Sequence, residues 1–402
     1  MEPFDGRTLA TVQGWTDAFS EIEQRIGGCF ARSEARQQAL AYLRGLLSPV
    51  ERKNSWQLAE IVGSTTPYAF QHLLGRADWN ADTLRDALYR YVGDHLHDDA
   101  AVVVLDETGF LKKGMQSVGV ARQYSGTAGR IENCQIGVFL AYVSRRGHTL
   151  LDRELYLPKA WADDAARRQR AGIPAPRNFA IKPQLARQML ARVFATDLPV
   201  AWVTGDSIYG DDRRLRTWLE AQQRAYVLAV SGKEYVWQHG RQQRVTTLLK
   251  ALPDEGWARV SAGDGAKGPR WYDWLLLPMA DPLHAAWKRW LLVRRTVDDA
   301  TDMTAYMVFA PNATPLVDLV RVAGSRWAIE VCFEAAKSEV GLDQYEVRSW
   351  AGWYRHSTLT MWAHAILTVV SMTTTTVEGQ KKARPTVSAM SSLAAFKARR
   401  GL

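Results

Sequence analysis

Hydrophobic periodicity changes abruptly near residue 100. Before it, Val12, Trp15, Phe19, Ile22 and Ile26 recur at helical spacing, and Leu40, Leu43 and Leu47 continue the pattern until Pro49. Helices are therefore predicted over Leu9–Ile26 and Arg36–Leu47. Two shorter ones, Ser55–Val62 and Pro67–Leu74, flank a Gly63-Ser-Thr-Thr break in the manner of a helix-turn-helix. Any small helical unit can contain such a pair, so the pattern alone does not assign it to DNA. Asn80 is placed to cap a further helix, Ala81–Leu96.

After the break, Ala101-Val-Val-Val-Leu105 reads as a buried strand ended by Asp106. Asn133–Ser144 and Thr149–Leu157 read as a hairpin turning at Arg145-Arg-Gly147. Helix Gln184–Phe194, strand Val200–Thr204 ended by Gly205-Asp206, helix Asp212–Gln222 and strand Ala225–Val230 follow. A meander followed by alternating strands and helices implies an α/β fold with a mixed sheet. Residues 232–310 interrupt it with short alternating runs and Trp237, Trp257, Trp271, Trp274, Trp287 and Trp290, a β-rich pattern. Helices are predicted again at Thr314–Val322, Arg326–Val340 and Trp353–Thr373. The expected organisation is a helical DNA-binding domain at 1–98, a core at 99–231 and 311–376, a β-rich, Trp-rich insertion at 232–310, and a basic tail at 377–402.

Composition narrows the chemistry. The chain carries 51 Lys+Arg against 42 Asp+Glu, a formal charge of +9 that favours a polyanionic partner. Its three cysteines, Cys29, Cys134 and Cys332, are too few and too scattered for a disulfide framework or a cysteine metal site, and Cys134 and Cys332 read as core residues. No signal peptide and no apolar run of membrane length is found, so a cytoplasmic protein with no membrane partner is expected. No HExxH, Walker A or GxSxG pattern occurs, which removes zinc-hydrolase, P-loop nucleotide and α/β-hydrolase readings.

Three carboxylates remain as candidates. Asp106 and Asp206 each follow a predicted strand, at the sheet edge where open α/β folds bind ligands. Asp is also a common turn or cap residue there. Glu330 lies in a predicted helix whose steps place Arg326, Glu330, Glu334 and Lys337 on one face, an arrangement that also suits a solvated face laced with ion pairs. Together the carboxylates suggest Mg²⁺ or Mn²⁺, which prefer oxygen ligands and leave room for phosphate. Two such ions about 3.5–4 Å apart stabilise both oxygens of an in-line phosphoryl displacement. Arg326 and Lys337 would contact phosphate. Lys112, Lys113, Arg122 and Arg130 lie in a glycine-interleaved segment without acids, suited to tracking a DNA backbone.

The segments Leu105–Gly114, Ser117–Gly137, Asp152–Pro158, Gly205–Gly210 and Arg326–Lys337, with Gly45–Glu60 near the start, resemble DDE-type insertion-sequence transposases, most closely the insertion sequence 701 family. The resemblance spans nearly the whole chain. It implies an RNase H-like catalytic core with a β-rich insertion between the second Asp and the Glu. Asp106, Asp206 and Glu330 would be the catalytic metal ligands for two Mg²⁺ (or Mn²⁺) ions. Arg326, Glu330 and Lys337 match the family's Tyr-Arg-Glu-Lys signature, and Ala323 stands at the Tyr position. The implied activity is cleavage at the element's ends and strand transfer into target DNA. The implied partners are double-stranded DNA and a second copy of the chain, in a nucleoid-associated setting. A non-catalytic DNA-binding regulator and a nuclease that cuts without joining are the competing expectations.

Overall fold

The computed structural model describes residues 6–238, 240–265, 268–280 and 285–378. Five helices come first: α1 (Gly6–Gly27), α2 (Ser33–Leu46), α3 (Ser55–Ile61), α4 (Tyr68–Gly75) and α5 (Ala81–Leu96). The α3 and α5 starts are set by asparagines: the Asn54 side chain accepts from the Trp56 and Gln57 amides, and Asn80 accepts from Asp82. Pro67 precedes α4 rather than lying inside it.

The core begins with β1 (Val102–Leu111), β2 (Ala121–Ser125), β3 (Arg130–Ser144) and β4 (Gly147–Tyr156). Two short helices, α6 (Lys159–Ala162) and α7 (Ala165–Ala171), lead to α8 (Lys182–Phe194). Then come β5 (Trp202–Gly205), α9 (Ser207–Gly210), α10 (Arg213–Ala221) and β6 (Ala225–Val230). The remainder is β7 (Tyr235–Gln238), β8 (Arg241–Arg244), α11 (Val245–Leu249), β9 (Ala258–Gly265), β10 (Gly268–Pro278), β11 (Trp287–Thr296), β12 (Met303–Pro311), α12 (Leu316–Ser325), α13 (Trp327–Ser338) and α14 (Trp350–Glu378).

Strand β1 pairs antiparallel with β3 and parallel with β5, and β5 pairs parallel with β6. The order β4-β3-β1-β5-β6 is an RNase H-like mixed sheet with helices packed on it. Residues Val102–Leu105 are fully buried, as a central strand flanked on both sides requires.

One expectation changes here. Asp106 does not end its strand. The β3 ladder continues past it to Leu111–Cys134, whereas the β5 ladder stops at Leu105–Gly205. The Trp-rich segment forms strands that join the same sheet. Strand β12 pairs with β6, and β11, β10 and β9 follow in order, so the segment lengthens the same sheet edge to edge. Among these residues only the β7–β8 ribbon forms a sheet of its own.

Helix α14 is the hub of the molecule. Leu359, Met361, Trp362, Ala363, Ala365 and Ile366 are all fully buried, because β4 lies on one side and the N-terminal helices on the other. Each large apolar side chain so buried contributes roughly 1.5–3 kcal/mol. Polar groups on α14 are also matched. The Trp362 indole donates to the Leu84 carbonyl at 2.9 Å, and Arg355 donates to the Ala77 and Trp79 carbonyls at 2.6 and 2.9 Å. The helix runs five residues past its predicted end at Thr373, and the tail from 379 lies outside the described residues. Among the described residues no helix is long and apolar enough to cross a membrane.

Candidate active site

Backbone register builds the site. Leu105 pairs with Gly205 in the parallel ladder, so the next residues, Asp106 and Asp206, stand side by side where that ladder opens. Asp206 caps α9, accepting from the Ile208 amide at 2.9 Å. The Asp106 carboxylate accepts from the Glu107 amide at 2.8 Å. Burial, and next the charge on Asp206, push the Asp106 carboxyl up to about 7. Burial, and next the charge on Glu107, push Asp206 up as well.

Arg326 supplies the nearest positive charge. Its guanidinium lies 2.9 Å from Glu330 and 3.9 Å from Asp106. It starts α13 next to the sheet edge, and Glu330 lies one turn further on and is about half exposed. The structure thus gathers Asp106, Asp206, Arg326 and Glu330 in one place, with the arginine between Glu330 and Asp106. Among the described residues no three His, Cys, Asp or Glu side chains are grouped tightly enough to hold a metal ion. The donor set nevertheless suits a hard divalent cation. It consists of carboxylate oxygens, and two of these carboxylates sit where burial and neighbouring negative charge penalise ionisation.

Glu107 is already engaged, although its charge reaches both aspartates. Lys182 contacts it at 2.6 Å and the buried Tyr209 hydroxyl donates to it at 2.8 Å. Neither partner carries a signal in the sequence pattern. Lys337 turns toward β1, donating to Thr108 Oγ1 at 2.7 Å and Thr127 Oγ1 at 3.0 Å. That ties α13 to the strand bearing Asp106 and to the β2–β3 turn. Lys112 folds inward over the Tyr345 ring at 3.6 Å and donates to its carbonyl; burial lowers its pKa to about 8. Lys113 and Arg122 are exposed, and the exposed Arg130 pairs with Glu132 at 2.8 Å. Cys134 and Cys332 are core residues, as expected.

A cavity of about 400 Å³ opens beside Asp206, lined among others by Arg270, Arg294, Arg326, Trp274 and Trp327. The Nε atoms of Arg270 and Arg294 are buried there without a hydrogen-bond partner among the described residues. Ala323 lines the same cavity. Sequence reasoning missed Arg270 and Arg294, because their approach to Asp206 depends on β10 and β11 joining the sheet.

Paired acidic side chains at the open edge of an RNase H-like sheet, with arginines around them, define a phosphoryl-transfer nuclease. The DDE superfamily endonuclease model matches residues 25–248, more than half of the chain, and the chain belongs to that family. The family implies use of a divalent metal. The chain is also 26% identical over 201 residues to the "Probable transposase for insertion sequence element IS701" of Microchaete diplosiphon. That match covers 50% of each protein, so the chain spans about half the length of this curated relative.

Proposed function

We propose that this protein is a DNA transposase that cuts the ends of an insertion sequence and transfers the freed strand into target DNA. The observation that carries the reading is the side-by-side placement of Asp106 and Asp206 with Arg326 within reach. In this reading Asp106, Asp206 and Glu330 would hold two Mg²⁺ (or Mn²⁺) ions, which would supply charge neutralisation for the phosphoryl displacement. The chain's own residues do the positioning. Arg326 leaves Glu330 and forks onto a phosphate of the cleaved strand. Arg270 and Arg294 line the cavity beside Asp206 and lend it positive charge that favours the strand beyond the cut. Lys337 keeps Thr108, and with it the Asp106 backbone, in place.

Two displacements complete the reaction. Water attacks phosphorus and the 3′-oxygen leaves, taking a proton. The resulting 3′-hydroxyl then attacks a target phosphodiester, whose own 3′-oxygen departs. Lys113, Arg122 and Arg130 track the duplex backbone without reading bases. Lys112 and Lys337, both turned inward, position structure rather than DNA. The α3–α4 pair, with Trp56 and Tyr68 exposed, is the candidate sequence reader. A DNA-bound homodimer in the bacterial nucleoid fits paired-end cutting.

The test is incubation of the purified chain with labelled terminal-repeat duplex, a target plasmid and Mg²⁺. Cleavage with joined product supports the proposal. Cleavage without joining favours a nuclease, and specific binding without cleavage favours a regulator.

A further inference from the structure

We infer that the β7–β8 ribbon and the start of α10 form a second duplex-DNA-binding surface, separate from the carboxylate site and from the β2–β3 hairpin. The inference rests on the DNA reading above and adds the place and chemistry of the contact.

Topology puts the surface on the working side of the sheet. Strand β6 runs parallel to β5, so both leave the sheet at the edge where Asp206 stands. The chain passes from β6 through Ser231-Gly-Lys233 directly into β7, and α10 begins just after the short helix that Asp206 caps. The Ser231 amide donates to Asp211 at 2.8 Å, which fastens the two exits together. The ribbon is also held at its far end, where the Ala280 amide donates to the Trp237 carbonyl at 3.1 Å.

The ribbon is two-faced. Val236 is buried against the body, while Tyr235 and Trp237 are 47% and 52% exposed. Register sets Arg244 opposite Tyr235 and Gln242 opposite Trp237, so these four side chains share the outer face. Burial provides no reason to place two large aromatics outside, one residue apart, on a strand of four residues. With α10 the ribbon encloses a cavity of about 380 Å³, bounded on the helix side by Arg213 and Thr217.

Charge identifies the occupant. Arg213, Arg214, Lys233 and Arg241 are exposed and show no ion pair among the described residues. The acids of these elements are already engaged, although Glu220 and Glu234 line the same cavity. Asp212 caps α10 at Leu215, Glu220 binds Arg289, and Glu234 binds Arg216 at 2.6 Å. A cationic surface bearing aromatics, glutamine and arginine matches a polyanion with base edges. A second copy of this chain, itself at +9, is disfavoured by like charge. A two-stranded ribbon also has the width that a major groove admits.

The experiment measures binding of the full chain to a fluorescent duplex across a salt series, using an Asp106→Asn background to prevent cutting. Arg213→Gln with Arg244→Gln is expected to weaken binding about tenfold and lower the log–log salt slope by about two. Tyr235→Ala with Trp237→Ala is expected to weaken binding with the slope unchanged. All four positions are at the surface, and an unchanged melting temperature checks that each variant folds. Wild-type affinity and slope in both double variants would overturn the ribbon proposal. So would a loss seen only with single-stranded probe. Failure of the parent chain to bind any DNA would instead overturn the transposase reading.

Discussion

Asp106 and Asp206 lie in adjacent parallel strands, each one residue past a backbone pair, yet only Asp206 is at the end of its strand. Asp106 is therefore clamped by the β3 ladder on one side and open on the other. A rigid carboxylate beside a capping carboxylate is a preorganised pair. Asp106→Asn and Asp206→Asn should each lower cleavage by about three orders of magnitude or more while leaving duplex affinity intact. Retained cleavage in either variant, measured on labelled terminal DNA, would remove that residue from the site.

Arg326 occupies the space between Glu330 and Asp106, where it acts as the resident counter-charge of the carboxylates. Replacing it by Gln removes a competitor for the same oxygens. Thermal stabilisation of the DNA-free protein by Mn²⁺ should then begin at lower concentration, whereas cleavage falls about a hundredfold as a phosphate contact is lost. A Mn²⁺ dependence identical to wild type would show that the guanidinium does not compete with metal.

Gly210 allows α9 to lie directly on β6. A Cβ there would meet the Ala229 carbonyl oxygen at 1.7 Å, and that backbone atom has no rotamer with which to yield. Gly210→Ala should cost roughly 1–3 kcal/mol or more in denaturant unfolding and disturb the Asp206 cap. Gly75→Ala, which meets nothing within 4 Å, is the matched control and should cost nothing measurable.

Two buried histidines on α14 predict acid sensitivity. His356 meets the Tyr42 hydroxyl at 2.9 Å, with Tyr345 packed alongside, and His364 meets Thr149 Oγ1 at 2.9 Å. Burial lowers both to about 3; the charge of Lys112 adds to the effect on His356, and that of His148 to the effect on His364. A depressed histidine leaves the unfolded chain holding more protons, so its stabilising effect is complete above about pH 6.5 and is lost as pH falls toward 3. At pH 5 each histidine costs about 2 kcal/mol. The melting temperature should fall steeply from pH 6.5 to 4, and His356→Gln with His364→Gln should flatten that slope. Equal slopes in the two proteins would refute the assignment.

The parts of the fold carried by local pattern were legible in sequence. The all-apolar run before Asp106 and the Gly-Asp following Trp-Val-Thr each marked a buried strand leading to an acid, and the hairpin at Arg145-Arg146 was equally plain. Register was not legible, because a parallel ladder leaves no trace in either strand alone. Hence the extension of β1 to Leu111 and the docking of β9–β12 onto β6 emerged only in three dimensions. Lys112 and Lys337 looked like DNA contacts because charge is visible in sequence. The tyrosine ring and threonine hydroxyls that engage them come from residues far away in the chain.

The packing of α14 has a consequence for distance. It touches α1, α2, α4 and α5 as well as β4, and only residues 97–101 connect α5 to β1, with Asp98 bound to Arg145 at 2.8 Å. The connection is short and tied to the β3–β4 turn by that ion pair. Under the proposed function, a duplex gripped by the N-terminal helices would meet Asp106 at a set number of base pairs from the grip. The long helix would then serve as a caliper, with the position of the cut measured by protein length.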